Sequence, residues 1–212
     1  DFARAKHIVS FGTDFLETWL APTEQQRGFA ESHGFADGTA ARHVYIGPRM
    51  SLTGMNADEW QAVTPGSEAV LALGMANVIL SERSGAPADA NALRATLAPY
   101  TPEKAGQAAG IQPAVVQRLA REFASAKPSL AVAGGVNGQH REAIELCAAV
   151  DLLNYVAGNI GQTVIFGADL QHGDGYGAVE ALFGRMDQGQ VAVALVHEAN
   201  PLYALPKAGN FA

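Results

Sequence analysis

At 212 residues with 48% hydrophobic side chains, the chain can bury one substantial core, so a single fold unit spanning 1–212 is the simplest expectation. Fourteen basic residues against 21 acidic ones give a net charge of −7, and the basic residues are scattered, which argues against a nucleic-acid partner. No apolar run reaches the roughly 18 to 20 residues a membrane span needs; even 69–80 is interrupted by Asn77, and a single cysteine excludes an internal disulfide or a cysteine-ligated cluster here.

In chain order, residues 7–12 (HIVSFG) read as a first strand, followed by a polar loop from Thr13 and Asp14. Residues 43–46 read as a second strand that stops at Gly47-Pro48, delivering Arg49, Ser51 and Thr53 to one edge of a sheet, with a loop expected between the two strands. Asp58 and Glu59 beside Trp60 read as a solvated turn with an aromatic anchor. At Pro65-Gly66-Ser67-Glu68 either Gly66 or Ser67 caps a helix whose first turn holds Glu68, where the helix dipole favours a carboxylate, and the helix runs on to Leu80. A further helix over 115–126 ends ahead of Pro128, and 129–134 (SLAVAG) form a third strand. The loop 134–138 (GGVNG) then leads into a helix over 141–156, where Cys147 reads as a small buried hydrophobe. Residues 163–166 (TVIF) are a weaker strand, 159–177 contain a glycine-rich excursion, and 191–197 (VAVALVH) are a last strand.

This order is α/β, and near-continuous apolar strands fit a Rossmann-like parallel sheet with helices on both faces. Ligands in such sheets bind beyond the carboxyl ends of the strands. Four loops are expected at that edge: Thr13-Asp14, Gly47-Pro48-Arg49, the loop 134–138, and residues 198–201. The loop 134–138 reads either as backbone amides that meet a phosphate at a helix N-terminus or as a plain strand-to-helix turn, since it lacks the GxGxxG spacing. No histidine pair has metal-ligand spacing; His172 with Asp169 and Asp174 is the only local cluster, and His43 and His197 read as structural.

Several of these segments, in the same order, resemble the molybdopterin oxidoreductase family of the dimethyl sulfoxide reductase and formate dehydrogenase type. Members typically show an Asp-Pro-Arg followed by Thr, an Ala-Asp pair, and Pro-Gly-Thr-Asp before an Ala/Leu-rich helix. Here those places hold Gly47-Pro48-Arg49, Thr53, Ala57-Asp58 and Pro65-Gly66-Ser67-Glu68. Residues 7–18 are similar to the family's strand and Gly-x-Asn-Pro-x-x-Thr loop, with Asp14-Phe15 in place of Asn-Pro. Residues 100–110 with 115–126 are similar to its segment before a Pro and a strand, Gly158-Asn159-Ile160-Gly161 to its Gly-Asn-Ile-Gly turn, and 191–201 to a strand ending in Asn-Pro. The wording of 12–19, of 47–53 and of 197–201 resembles one branch, the large iron–sulfur subunit of alternative complex III.

The resemblance implies that Gly12, Asp14, Thr18, Arg49, Thr53, Gly66, Glu68 and Asn200 stand where relatives hold a molybdopterin guanine dinucleotide. Arg49 keeps a guanidinium suited to phosphate. Gly47, however, removes the carboxylate that would accept from ribose or guanine, and Glu68 in place of Asp moves its carboxylate by about 1.5 Å, one C–C bond. The chain is therefore expected to be a degenerate nucleotide-binding scaffold, with no catalytic residue and no metal of its own. Its ends read as cuts from a larger parent carrying iron–sulfur clusters elsewhere. The partners implied are the other domains and subunits of a membrane-bound quinol-oxidising complex, on the periplasmic side of the cytoplasmic membrane. Two other readings stay open: an active molybdenum or tungsten subunit, and an independent Rossmann-like small-molecule-binding protein.

Overall fold

The strand His7–Phe11 (β1) is buried along its whole length, because parallel neighbours flank it on both sides and core covers both faces. The computed structural model describes residues 1–35, 38–83, 89–135, 141–167 and 175–204. The remaining elements of the larger unit, Asp1–Phe166, are α1 (Pro22–His33), β2 (Arg42–Ile46), α2 (Leu52–Met55), β3 (Glu59–Gln61), α3 (Glu68–Glu82), α4 (Ala90–Leu97), α5 (Pro102–Ala109), α6 (Pro113–Ser125), β4 (Ser129–Ala133) and α7 (Ala143–Ala157). The sheet is parallel in the order β3-β2-β1-β4. The chain thus starts in the middle, steps outward through β2 and β3, and returns on the far side of β1, which puts a topological switch point between β1 and β4.

Side-chain alternation along the strands splits the interior in two. Val9, Phe11, Val44, Ile46 and Ala131 face one core, shared with α3, α5, α6 and α7. Ile8, Leu130 and Val132 face the other, with Phe2, Phe15, Leu16 and Phe29 of α1. Helix α3 is apolar nearly all round, as a buried helix must be, and packs against α4, α5, α6 and α7. Gly74 permits a close approach to α5, since a Cβ there would lie 2.5 Å from the Ala105 Cβ.

Strand β4 is an edge, and side chains cover its open side. The Asn154 amide accepts from Ala131 N (3.0 Å) and donates to Ala131 O (2.8 Å). Asn159, in the Gly-Asn-Ile-Gly turn, accepts from Ser129 N at 3.3 Å, and the Thr163 hydroxyl donates to Ser129 O. Three side chains therefore take the hydrogen bonds that another strand would make, a common means of blunting an edge.

Several sequence expectations are corrected here. The loop expected between the first two strands contains the twelve-residue α1, started by Pro22 at its first turn with Glu24 beside it. The turn at Asp58-Glu59-Trp60 includes an edge strand, held because Glu59 meets Arg42 (2.5 Å) and Arg118 (2.6 Å) and Trp60 Nε1 donates to Gly47 O. Residues 163–166 contribute only an isolated bridge, Ile160 to Val164. Cys147 is exposed, because α7 turns Leu146, Val150 and Leu153 inward and the cysteine falls off that stripe.

The smaller unit, Gly167–Ala212, holds α8 (Tyr176–Asp187) and α9 (Pro201–Ala204) among its described residues. Residues 191–197 are not a strand: they have no ladder partner among the described residues, and Val193 and Leu195 are 76% and 95% exposed. Apolar composition cannot make a strand without a neighbour to receive its backbone hydrogen bonds. The His172, Asp169 and Asp174 cluster lies outside the described residues.

Candidate functional site

The carboxyl ends of β1, β2 and β4 present three of the four expected loops along one edge: Gly12-Thr13-Asp14, Gly47-Pro48-Arg49, and Gly134-Gly135, whose continuation lies outside the described residues. The fourth loop, which includes Asn200, belongs to the smaller unit, where Asn200 Oδ1 accepts from Tyr203 N at the start of α9.

Asp14 and Thr53, 39 positions apart, are brought together. The Asp14 Oδ1 accepts from the Thr53 hydroxyl at 2.6 Å and from Thr53 N at 3.2 Å, and Thr53 Oγ1 accepts from Leu16 N at 3.0 Å. Both side chains are buried. The Asp14 carbonyl accepts in turn from the amides of Glu17, Thr18 and Trp19, closing a compact turn after β1. Gly12 is buried at the entry to this turn, while Thr18 is exposed on its outer side. Ser51 caps α2, its hydroxyl accepting from Gly54 N, and so holds Thr53 in place. This pair is a structural clasp between the β1 loop and α2, and it engages one carboxylate oxygen of Asp14 internally.

At the β2 end, Gly47 lies against the ring of Tyr45: a Cβ at position 47 would sit 3.2 Å from Tyr45 Cε1. An Asp there, as in the family pattern, requires the Tyr45 ring to give way. Arg49 is exposed just beyond Pro48. Farther along, the exposed Gly66, at φ +83, turns the chain into α3. Ser67 holds the capping position, but its hydroxyl donates to Thr64 O at 2.6 Å instead of capping. Glu68, the first residue of α3, is only 5% exposed, and its Oε2 has no hydrogen-bond partner. A buried carboxylate oxygen without a donor is costly, so Glu68 carries a buried, unsatisfied acceptor suited to a ligand N–H.

Behind the site, His43 lies inside β2 with Nε2 3.0 Å from the Ser10 hydroxyl, ringed by Phe15 and Phe29. Burial pushes its pKa down to about 4, with the nearby His33 adding to the effect. His7 is lowered in the same direction, again chiefly by burial. Both are neutral at neutral pH, and for His43 this matches the structural role the sequence suggested. Beside Arg42 at the amino end of β2, burial raises the Glu59 pKa, but hydrogen bonds from Arg118 and Arg42 outweigh it and leave a net lowering. Among the described residues no cluster of three metal-ligating side chains occurs, and no helix is long and apolar enough to cross a membrane.

Sequence reading missed Trp19. The turn after β1 carries its indole across to the diglycine after β4, and a Cβ on Gly135 would lie 2.9 Å from Trp19 Cδ1. The signal available was the Trp itself, directly after a strand-end loop.

No protein-family model matches the chain. It is 28% identical, over its whole length, to the molybdopterin-binding-like subunit of menaquinone reductase from Nitratidesulfovibrio vulgaris, of which it covers 33%. It is 29% identical over 76% of its length to the thiosulfate reductase molybdopterin-containing subunit of Salmonella typhimurium, covering 21% of that protein. It is 28% identical over 76% of its length to a dimethyl sulfoxide reductase of Escherichia coli, covering 23%. The chain thus spans a third or less of the length of these relatives. Among solved structures, acetylene hydratase from Pelobacter acetylenicus superposes with a TM-score of 0.61 at 19% identity, over 75% of this chain and 22% of that one, which is a likeness of fold. The resemblance to molybdopterin oxidoreductase subunits and the α/β fold expected from the motifs are both borne out.

Proposed function

We propose that this chain is the nucleotide-side domain of a molybdopterin oxidoreductase-like iron–sulfur subunit, of the alternative complex III kind, that carries no molybdenum cofactor. It works inside a membrane-associated complex, on the periplasmic side, that moves electrons from quinol to cytochrome c or a similar acceptor. Iron–sulfur clusters sit elsewhere in the parent subunit, and this domain supports them and the partner subunits. Similarity over the whole chain to a subunit named only as molybdopterin-binding-like supports the reading.

The observation that carries the cofactor-free part is the state of the acidic positions. A pterin guanine dinucleotide needs carboxylates to accept from ribose hydroxyls and guanine N–H groups. Asp14 is clasped to Thr53, and position 47 has no carboxylate and little room for one beside Tyr45. Of the groups present, Arg49 suits a phosphate and Glu68 a guanine N–H, so the residues fit the dinucleotide poorly as a set.

One observation favours a second reading, that of an active molybdenum or tungsten subunit: the Glu68 Oε2 is buried and unpaired, as an acceptor awaiting a donor would be. Elemental mass spectrometry of the intact parent, purified from its own organism, together with fluorescence of released pterin, separates the two. The first reading expects iron without molybdenum, tungsten or pterin; near-stoichiometric metal with pterin establishes the second.

A further inference from the structure

The switch point between β1 and β4 is where an open parallel sheet offers its crevice. Here it is bridged from both sides by this chain's own residues. The loop after β1 supplies Trp19, whose amide donates to Asp14 O at 3.2 Å, so the indole hangs from the same turn that holds the Asp14–Thr53 clasp. The loop after β4 supplies Gly134 and Gly135, both in the left-handed region at φ +99 and +86. A Cβ on Gly134 would lie 3.5 Å from Trp19 Nε1 and 3.8 Å from Cys147 Sγ, and one on Gly135 would lie 2.9 Å from Trp19 Cδ1. The indole therefore rests directly on the diglycine backbone, a contact that side chains there would prevent. Phe2 packs edge-on against the indole, with ring centroids 6.5 Å apart. Trp19, Ala133 and Cys147 also line a groove of about 950 Å³, together with Asn154 and Thr163.

Glycines at this place in a sheet commonly let a phosphate approach the backbone. We infer that Trp19 is a resident plug: its indole takes the surface of the diglycine that a nucleoside diphosphate would otherwise approach, and keeps the β1/β4 crevice closed to nucleotides. The plug rests on the reading of this chain as a nucleotide-side domain, and it adds a steric cause of lost binding to the missing carboxylate at Gly47. An aromatic ring is a natural occupant, since it replaces the contacts of a ligand with apolar area at little cost in side-chain entropy.

The test is isothermal titration of GDP into the intact parent protein and its variants. The native protein is expected to show no measurable binding, and the highest GDP concentration titrated then sets the lower limit on its dissociation constant against which the variants are compared. Trp19→Ala is expected to bind GDP at least tenfold tighter than native, and Trp19→Phe, which keeps a ring over the diglycine, to behave as native. If Trp19→Ala fails to fold, Trp19→Leu carries the same comparison with more apolar bulk retained. A merely structural tryptophan lowers the thermal midpoint and leaves GDP affinity unchanged; an affinity ratio near one in the folded variants overturns the plug, as does GDP binding by the native protein at the affinity of Trp19→Ala. The metal and pterin content of the parent is scored separately, so failure of the plug leaves the cofactor-free reading where that measurement puts it.

Discussion

Residues 7–11 and residues 191–197 have similar composition, each a short apolar run with a histidine at one end and a polar loop after it, yet they meet opposite fates. The first, His7–Phe11, is an inner strand of a four-stranded parallel sheet, with β2 registered on one side and β4 on the other. The second has no ladder partner among the described residues, and its large apolar side chains face solvent. The difference lies in what each run is hydrogen-bonded to, since a strand is a property of a pair and never of a segment alone. Within the larger unit, the open edge of β4 has its backbone groups at Ser129 and Ala131 taken by the side chains of Asn154, Asn159 and Thr163.

The contrast is sharpest where a large side chain is removed from this inner strand. Phe11 is fully buried, and Phe11→Ala is expected to destabilise the protein by about 3 to 5 kcal/mol, read from the midpoint of urea unfolding. Restored stability without repacking of the core would break the comparison.

A smaller effect comes from the histidines that the sheet buries. His43 has its pKa lowered to about 4 in the fold against an unfolded value near 6.5, so the unfolded chain binds the extra proton first. Stability is therefore whole above about pH 6.5 and is lost as pH falls towards 4, by up to about 3 kcal/mol from this group. His7 adds loss in the same direction. Unfolding midpoints taken across pH 4 to 7 in the native protein and in His43→Gln check this; the variant is expected to have the shallower slope.

The smallest effect is expected in the unpaired run. Leu195 is 95% exposed, and Leu195→Ser is expected to change stability by no more than about 0.5 kcal/mol in the same urea assay. A loss of 2 kcal/mol or more would mean that the run is buried in solution, and the comparison would fail.

Much of the larger unit was legible because its signals are local. The helix from Glu68 shows itself through Pro65-Gly66 and a long apolar stretch broken only by Asn77, and the strands β1, β2 and β4 through short apolar runs that end at glycine. Helix α1 was missed because its exposed face is polar and only Phe29 of it is buried, which leaves little apolar periodicity to detect. Cys147 was misplaced because a helix with apolar residues on several faces does not announce which one points inward. In the candidate site, the sequence identified Asp14, Thr53 and Glu68 as positions of interest, but their different situations are matters of distance: Asp14 and Thr53 satisfy one another, and Glu68 keeps an unpaired oxygen.

By itself the sequence determined the α/β class, the parallel character of the sheet and the likeness to molybdopterin oxidoreductase subunits, because apolar periodicity, turn residues and motif order are properties of neighbouring positions. Only the tertiary structure decided that the run 191–197 is no strand, that Asp14 is clasped to Thr53, and that the Trp19 indole lies on Gly134 and Gly135. The last two depend on groups far apart in the chain coming within a few ångströms and the first on the lack of such a partner among the described residues, because burial, pairing and steric exclusion act through proximity.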